Sequence, residues 1–437
     1  MHPLPESRSM GHSLRWAAVV VLIGVAGGVA GLGLAALLHT VQHVAYGYSV
    51  ETIFSKESFQ QGVTAASRSR RVEMLALCGL VAGVGWWAVY RWCRPLVSIA
   101  RAVRSDDPRM PVFATVCHAL LQIVTVALGS PLGREVAPRE IGAMLAGRLT
   151  SFAGLTVAES RIMVACGAGA GLAAVYNVPV AGAVYVLEGL LFTIGWRAVV
   201  PAVVTSAIAG LIARAGLGDF PQYDVPHYAC TASLIVWSAL AGPLIGLAAW
   251  QFTKLTDHAR ARAPRDSRLV LLCAVNFLCI GLLAIKFPLL LGNGKGPAQV
   301  GFDGSLTLQF AAVLLVLRVL MTWTSLRAGA AGGLLTPGLC NGALFAIVLG
   351  SVWSAWWPGA PLGAFAVIGA AAFLATSMRV PLTAIALIFE FTRPSPEFMI
   401  PVLIAVAGSV AMSSYVRQFF DPARHPDLSA KAERANV

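Results

Sequence analysis

Glu135 is the residue whose type and setting most plainly call for chemistry. It stands in Gly133-Arg134-Glu135-Val136-Ala137-Pro138, between an apolar stretch interrupted at Leu128-Gly129-Ser130-Pro131-Leu132 and a helical continuation from Ile141 to Leu149. A carboxylate inside a membrane is costly, so such groups face a cavity, a partner or a proton path. The interruption places Glu135 near a helix N-terminus at membrane depth. Unpaired backbone N–H groups and the positive end of the helix dipole make an anion site there without a cationic side chain. A carboxylate can occupy that same site, and protonation would release it, linking one proton to one anion. The plainer alternative is a structural carboxylate paired with Arg134 or Arg139, with Arg139 and Glu140 forming an ion pair in a vestibule.

The elements that must position Glu135 are membrane helices. Of 437 residues, 57% are hydrophobic and 12% charged, which predicts an all-α polytopic membrane protein. The first apolar run, Trp16 to Leu38, is too long for a signal-peptide core and reads as the first span. The net charge of +12 is scattered over loops such as Arg68, Arg70 and Arg71, and Arg260 to Arg268. Positive-inside bias and anionic lipid account for it, with no nucleic-acid partner. Eight cysteines show no CxxC pair, and His39 and His43 lack an evident third ligand, so neither a disulfide framework nor a metal is expected. No HExxH or GxSxG motif is present, and Gly292 to Pro297 lacks the GK[ST] ending of a phosphate loop. The reading is of a transport protein, not an enzyme, with no cofactor.

The chain repeats itself. Gly167 to Pro179 followed by Glu188 matches Gly369 to Pro381 followed by Glu390, with 12 residues from Gly to Pro and 9 from Pro to Glu in both. Upstream, the run ending at Pro138 has a counterpart in Gly332-Gly333-Leu334-Leu335-Thr336-Pro337. Short, Gly- and Pro-broken segments recurring in two halves point to a transporter with its site where the breaks meet. The expected organisation is a first transmembrane repeat over 1–225, a second over 226–416, and a short basic cytoplasmic tail over 417–437. Glu188 and Glu390 hold equal repeat positions, which argues for a structural role at both. Thr336 before Pro337 suits a helix N-cap as well as an anion contact.

With these motifs in order, the chain resembles the CLC family of chloride channels and anion/proton antiporters over nearly its whole length. GREVAP is similar to that family's GREGP motif, GGLLTP to its GxFxP motif, and the two Pro-to-Glu stretches to the helices that follow each motif. The resemblance implies a CLC-type fold: a homodimer in a cell inner membrane, each subunit built of two inverted-topology repeats whose broken helices meet at the midplane. It implies a gating, proton-carrying role for Glu135. It also implies anion contacts at Leu96, Val136, Leu334, Leu335, Thr336 and, as a looser match, Tyr415.

Two departures refine the expectation. Cys93 to Ser98 occupies the position of the family's GSGIP loop without its Gly-Ser-Gly opening, and GREVAP replaces GREGP. Both changes resemble the fluoride/proton antiporter branch, which implies fluoride export driven by entering protons; a chloride/proton antiporter or a passive channel on the same scaffold is the alternative. The internal proton-transfer glutamate of common CLC antiporters falls at Gly189, which leaves the inner proton route open.

Overall fold

The computed structural model describes residues 10–47 and 58–420. Among these residues the chain forms seventeen α-helices and no strand beyond one isolated bridge. The first half runs α1 (Met10–Tyr46), α2 (Phe59–Ala65), α3 (Arg68–Trp92), α4 (Ile99–Arg104), α5 (Val112–Ala127), α6 (Val136–Phe152), α7 (Val157–Tyr176), α8 (Pro179–Tyr185) and α9 (Trp196–Leu217). A π-helical turn, Val186–Leu191, extends α8. The second half runs α10 (Ala232–Ala261), α11 (Arg268–Lys286), α12 (Lys295–Phe302), α13 (Leu308–Ala328), α14 (Leu335–Ser354), α15 (Leu362–Met378), α16 (Pro381–Thr392) and α17 (Met399–Phe420). Nine of the described helices are long and apolar enough to cross a membrane, and α5, α8, α15 and α16 are shorter apolar pieces. The expected tail lies outside the described residues from position 421 onward.

The two halves pack alike. In the first, α1 rests on α9, α6 on α7 and α7 on α8; in the second, α10 rests on α17, α14 on α15 and α15 on α16. In both halves a glycine of the pair faces backbone. A Cβ on Gly142 would overlap the carbonyl of Gly167, and one on Gly342 would overlap that of Gly369. Small residues let helix backbones approach where lipid offers no hydrophobic drive to associate.

Local sequence ends and restarts these helices in the same way twice. Asn177 and Arg379 take the left-handed conformation (φ 56° and 59°) at the ends of α7 and α15, and Pro179 and Pro381 open α8 and α16 two residues later. The contacts between α8 and α16 fix the relation of the halves. Glu188, three residues past the end of α8, accepts from the N–H groups of Leu382 and Thr383 (both 2.8 Å) in the first turn of α16. Glu390, near the end of α16, accepts from those of Val180 (3.0 Å) and Ala181 (2.8 Å) in the first turn of α8. Each helix end meets the other's beginning, so these equivalent elements run antiparallel and the repeats have inverted topology. Both carboxylates are engaged as reciprocal caps, the structural role their equal positions suggested.

Candidate functional site

Two breaks in the helical structure meet at Glu135. Gly133 donates its N–H to the carbonyl of Gly333 (2.8 Å) and Gly333 returns the bond to Gly133 (2.9 Å), forming the isolated antiparallel bridge. Immediately after it, α6 begins at Val136 and α14 at Leu335, so two helix N-termini converge on one place. A Cβ on either glycine would collide with the Glu135 carboxylate, which is why both positions lack one.

Glu135 is fully buried, at 0% exposure. Its backbone precedes the first turn of α6, yet its carboxylate reaches across to α14: Oε1 accepts from the N–H of Leu335 at 2.8 Å. The hydroxyl of Tyr176 donates to Oε2 at 3.3 Å and lies 2.9 Å from the Thr336 hydroxyl. A buried charge is tolerable only with such partners, and the two helix dipoles add to them. Neither neighbouring arginine pairs with it among the described residues. The Arg134 guanidinium lies over the Tyr176 ring, 5.2 Å from its centroid. That of Arg139 bonds to the Tyr185 hydroxyl and covers that ring at 4.4 Å. Nor, among the described residues, do Arg139 and Glu140 form the ion pair of that plainer reading: Glu140 instead meets His118 (2.9 Å) and Gln122 (3.2 Å) on α5.

On one side of Glu135 lies a cavity of about 430 Å³. Val136 and Leu334 line it next to the carboxylate, with Arg139, Arg260 and Arg379 outnumbering Asp257 among the charged groups farther out. Arg260 also donates to the carbonyl of Gly332 (3.1 Å), tying α10 to the approach of α14. A recess with this excess of positive charge draws anions toward the two helix N-termini. Its polar, roomy interior is large enough to hold water up to the groups that cover the carboxylate, which itself has no surface open to it.

The structure thus gathers Glu135, Val136, Leu334, Leu335 and Thr336 into one cluster and leaves two expected contacts outside it. Leu96 sits half-buried in the non-helical 94–98 stretch, and among the described residues none of Glu135's hydrogen bonds and no lining of this cavity comes from that stretch. Ser98 caps α4 through the N–H of Arg101 (3.2 Å). Tyr415 lies 60% exposed on α17, its ring against Phe419 at 4.7 Å. Thr336 falls inside the first turn of α14 and does not cap it: Leu334 holds the cap position, and the threonine hydroxyl is turned to Tyr176. Tyr176 is the member that sequence reasoning passed over. The available signal was its place three residues before Pro179 in the repeated motif, where the second half has Met378 three residues before Pro381.

A sequence profile described as "Voltage gated chloride channel" matches residues 74–414. A protein of Ralstonia nicotianae named putative chloride channel protein ClcB-like is 30% identical over 407 residues, covering 89% of this chain and 91% of that protein. Among solved structures, a slow cyanobacterial Cl⁻/H⁺ antiporter superposes with a TM-score of 0.79 at 18% identity, over 92% of this chain and 95% of the other. A CLC-type fluoride/proton antiporter superposes with a TM-score of 0.70 at 16% identity, over 94% and 98%.

Proposed function

This chain belongs to the voltage gated chloride channel family, the CLC anion channels and exchangers, and from that premise we propose that it is an anion/proton antiporter gated by Glu135. One observation carries the reading: a fully buried carboxylate occupies the meeting point of two helix N-termini, held by the N–H of Leu335 and the hydroxyl of Tyr176. An ionised carboxylate there is an anion in an anion site. Its hydrogen bonds are charge-assisted, about twice as strong as neutral ones. Protonation weakens them and frees the donors for a transported anion. The anion then leaves as the proton is delivered to the other side, and the carboxylate returns.

The transported ion is read in two ways, each on its own observation. GREVAP and the missing Gly-Ser-Gly opening before Leu96 support fluoride, exported against entering protons. Hydrogen fluoride crosses membranes as a neutral acid and dissociates inside, and a strongly hydrated ion needs close, dry donors in exchange for its water. The relative named as a chloride channel supports chloride. The donor set around Glu135, one backbone N–H and two hydroxyls, supplies hydrogen-bond donors that a halide of either size accepts. As in the family resemblance, we place the protein as a homodimer in an inner membrane. The apolar side chains of Val180 and Leu382 on the outer faces of α8 and α16 are exposed and available to a second copy.

The test is efflux from liposomes containing the purified protein, followed by fluoride and chloride electrodes under an imposed pH gradient. Anion efflux that drives protons inward supports the antiporter, and the ratio of the two anions names the substrate. Anion flux with no proton movement reassigns the chain to the channels.

A further inference from the structure

We propose that Tyr176 is the hydroxyl donor that passes between Glu135 and the transported anion, so that a phenol from α7 governs both the hold on the gate and the choice of ion. The inference rests on the reading of Glu135 as the gate. The two carboxylate oxygens mark the two places where an anion can be held: Oε1 beside the Leu335 N–H, and Oε2 beside the Tyr176 hydroxyl. A phenol has one proton to give. While the carboxylate is in place, that proton points to Oε2, and the Thr336 hydroxyl 2.9 Å away can donate to the phenol oxygen in turn. When Glu135 leaves, the same proton serves whatever anion replaces it.

The ring is fixed for this task. It is buried, edge-on to Phe391 at 5.3 Å, with the Arg134 guanidinium over its face. Phe391 is held in turn by Tyr223 at 5.9 Å. Gln222 donates to the Tyr176 carbonyl at 3.2 Å, and the left-handed Asn177 turns the chain away immediately afterwards. A hydroxyl on a rigid ring cannot follow a larger ion outward, so its bond length discriminates by ionic radius. The repeat sharpens the argument. Met378, at the equivalent position of the second half, lines the cavity, whereas Tyr176 is not among its lining residues. The symmetry of the fold is broken where a hydroxyl donor is needed. No hydroxyl from α17 reaches Glu135 among the described residues, since Tyr415 is turned outward.

Tyr176→Phe keeps the ring, its contact with Phe391 and the stacked Arg134, and removes only the hydroxyl. We expect anion binding, measured by titration calorimetry in detergent, to weaken at least tenfold, and the fluoride-to-chloride flux ratio to fall at least threefold. A purely packing role would move neither of these. Thr336→Val should act in the same direction and less strongly, providing a second variant if the first is poorly folded. The same titration with Glu135→Ala and Glu135→Ala/Tyr176→Phe separates this proposal from the antiporter reading. If the wild type moves no protons, that reading fails; if the double variant still binds anion as tightly as Glu135→Ala, the role of Tyr176 fails whatever the proton result.

Discussion

Glu135 stands at the start of α6 but closes the start of α14, through the N–H of Leu335, 200 residues further along the chain. The carboxylate therefore joins the two halves at the point where both helix dipoles are positive. Glu135→Gln keeps an oxygen for Leu335 and removes the charge and the titration. Proton movement is expected to fall to background while anion flux persists and loses its dependence on pH. Parallel pH and anion electrodes on one liposome preparation check it; proton movement at the wild-type ratio would return Glu135 to a structural role.

Gly333 offers a way to displace the carboxylate without changing it. Its backbone is not in the left-handed region, so alanine is conformationally allowed and the collision of its Cβ is with Glu135 itself. Gly333→Ala should expel Glu135 and raise anion flux relative to proton flux. In a Glu135→Ala background the same substitution should add little, since its target is gone. A large further effect in the double variant would show that the alanine disturbs the bridge and not the gate.

Glu188 and Glu390 provide the contrast. Each closes the other half's helix, and Glu188 also accepts from the Thr383 hydroxyl at 2.7 Å. Truncating either to alanine should cost on the order of 1 kcal/mol, with Glu188→Ala the more damaging because three donors lose their acceptor. Melting temperatures in detergent should fall, while the proton-to-anion ratio stays at the wild-type value. A changed ratio in Glu188→Ala would make that residue part of the inner proton route that Gly189 leaves open.

The motifs that carried the sequence reading are local: a glycine-rich break, a proline restart and a glutamate nine residues on. These fix the chain's conformation within a few turns, and the structure keeps them nearly in register, as in the reciprocal caps of Glu188 and Glu390. What was not legible depends on side-chain direction or on distant contact. Arg139 and Glu140 are adjacent, and successive side chains on a helix point about 100° apart, so they serve Tyr185 and His118 instead of each other. On α17 the buried positions include Ser409, Ser413 and Val416, which turns Tyr415 to the outside. Tyr176 reaches Glu135 across 41 residues and Thr336 across 160, separations over which spacing carries no information. Helices α2, α4 and α12 are too short to leave an apolar signature.

Outside the membrane segments, Asp219 lies between Arg393 (2.5 Å) and Arg214 (3.2 Å), joining the end of α9 to the end of α16. The hydrogen bond from Arg393 holds its carboxyl below the usual carboxylate range. A lowered carboxyl contributes stability above its ordinary range and loses it as pH falls through the lowered value. Wild type should therefore melt slightly above Asp219→Asn at neutral pH, the difference disappearing in strong acid; an unchanged difference at acid pH would sink the assignment to charge. The effect will be small because the cluster is exposed and screened by solvent.

Arg318 is a large, buried cationic side chain with no carboxylate partner among the described residues. It is fully buried in α13 and donates to the carbonyls of Leu290 (3.0 Å), Gly292 (2.6 Å) and Pro131 (3.2 Å). Pro131 lies two residues before the bridge glycine Gly133, so the guanidinium ties the approach of α6 to the Gly292 turn that precedes α12. Arg318→Met preserves volume and removes all three donors. A buried carbonyl left without a partner costs about 1–3 kcal/mol, so the variant should lose roughly 3 kcal/mol or more. Arg318→Lys should recover only part of this, because a compact ammonium cannot reach three carbonyls that a planar fork spans. If the loop is what holds Glu135 in register, the folded fraction of either variant should also show a lower proton-to-anion ratio. A ratio equal to wild type, together with a lowered melting temperature, would confine Arg318 to stability and leave the geometry of the gate to the Gly133–Gly333 bridge alone.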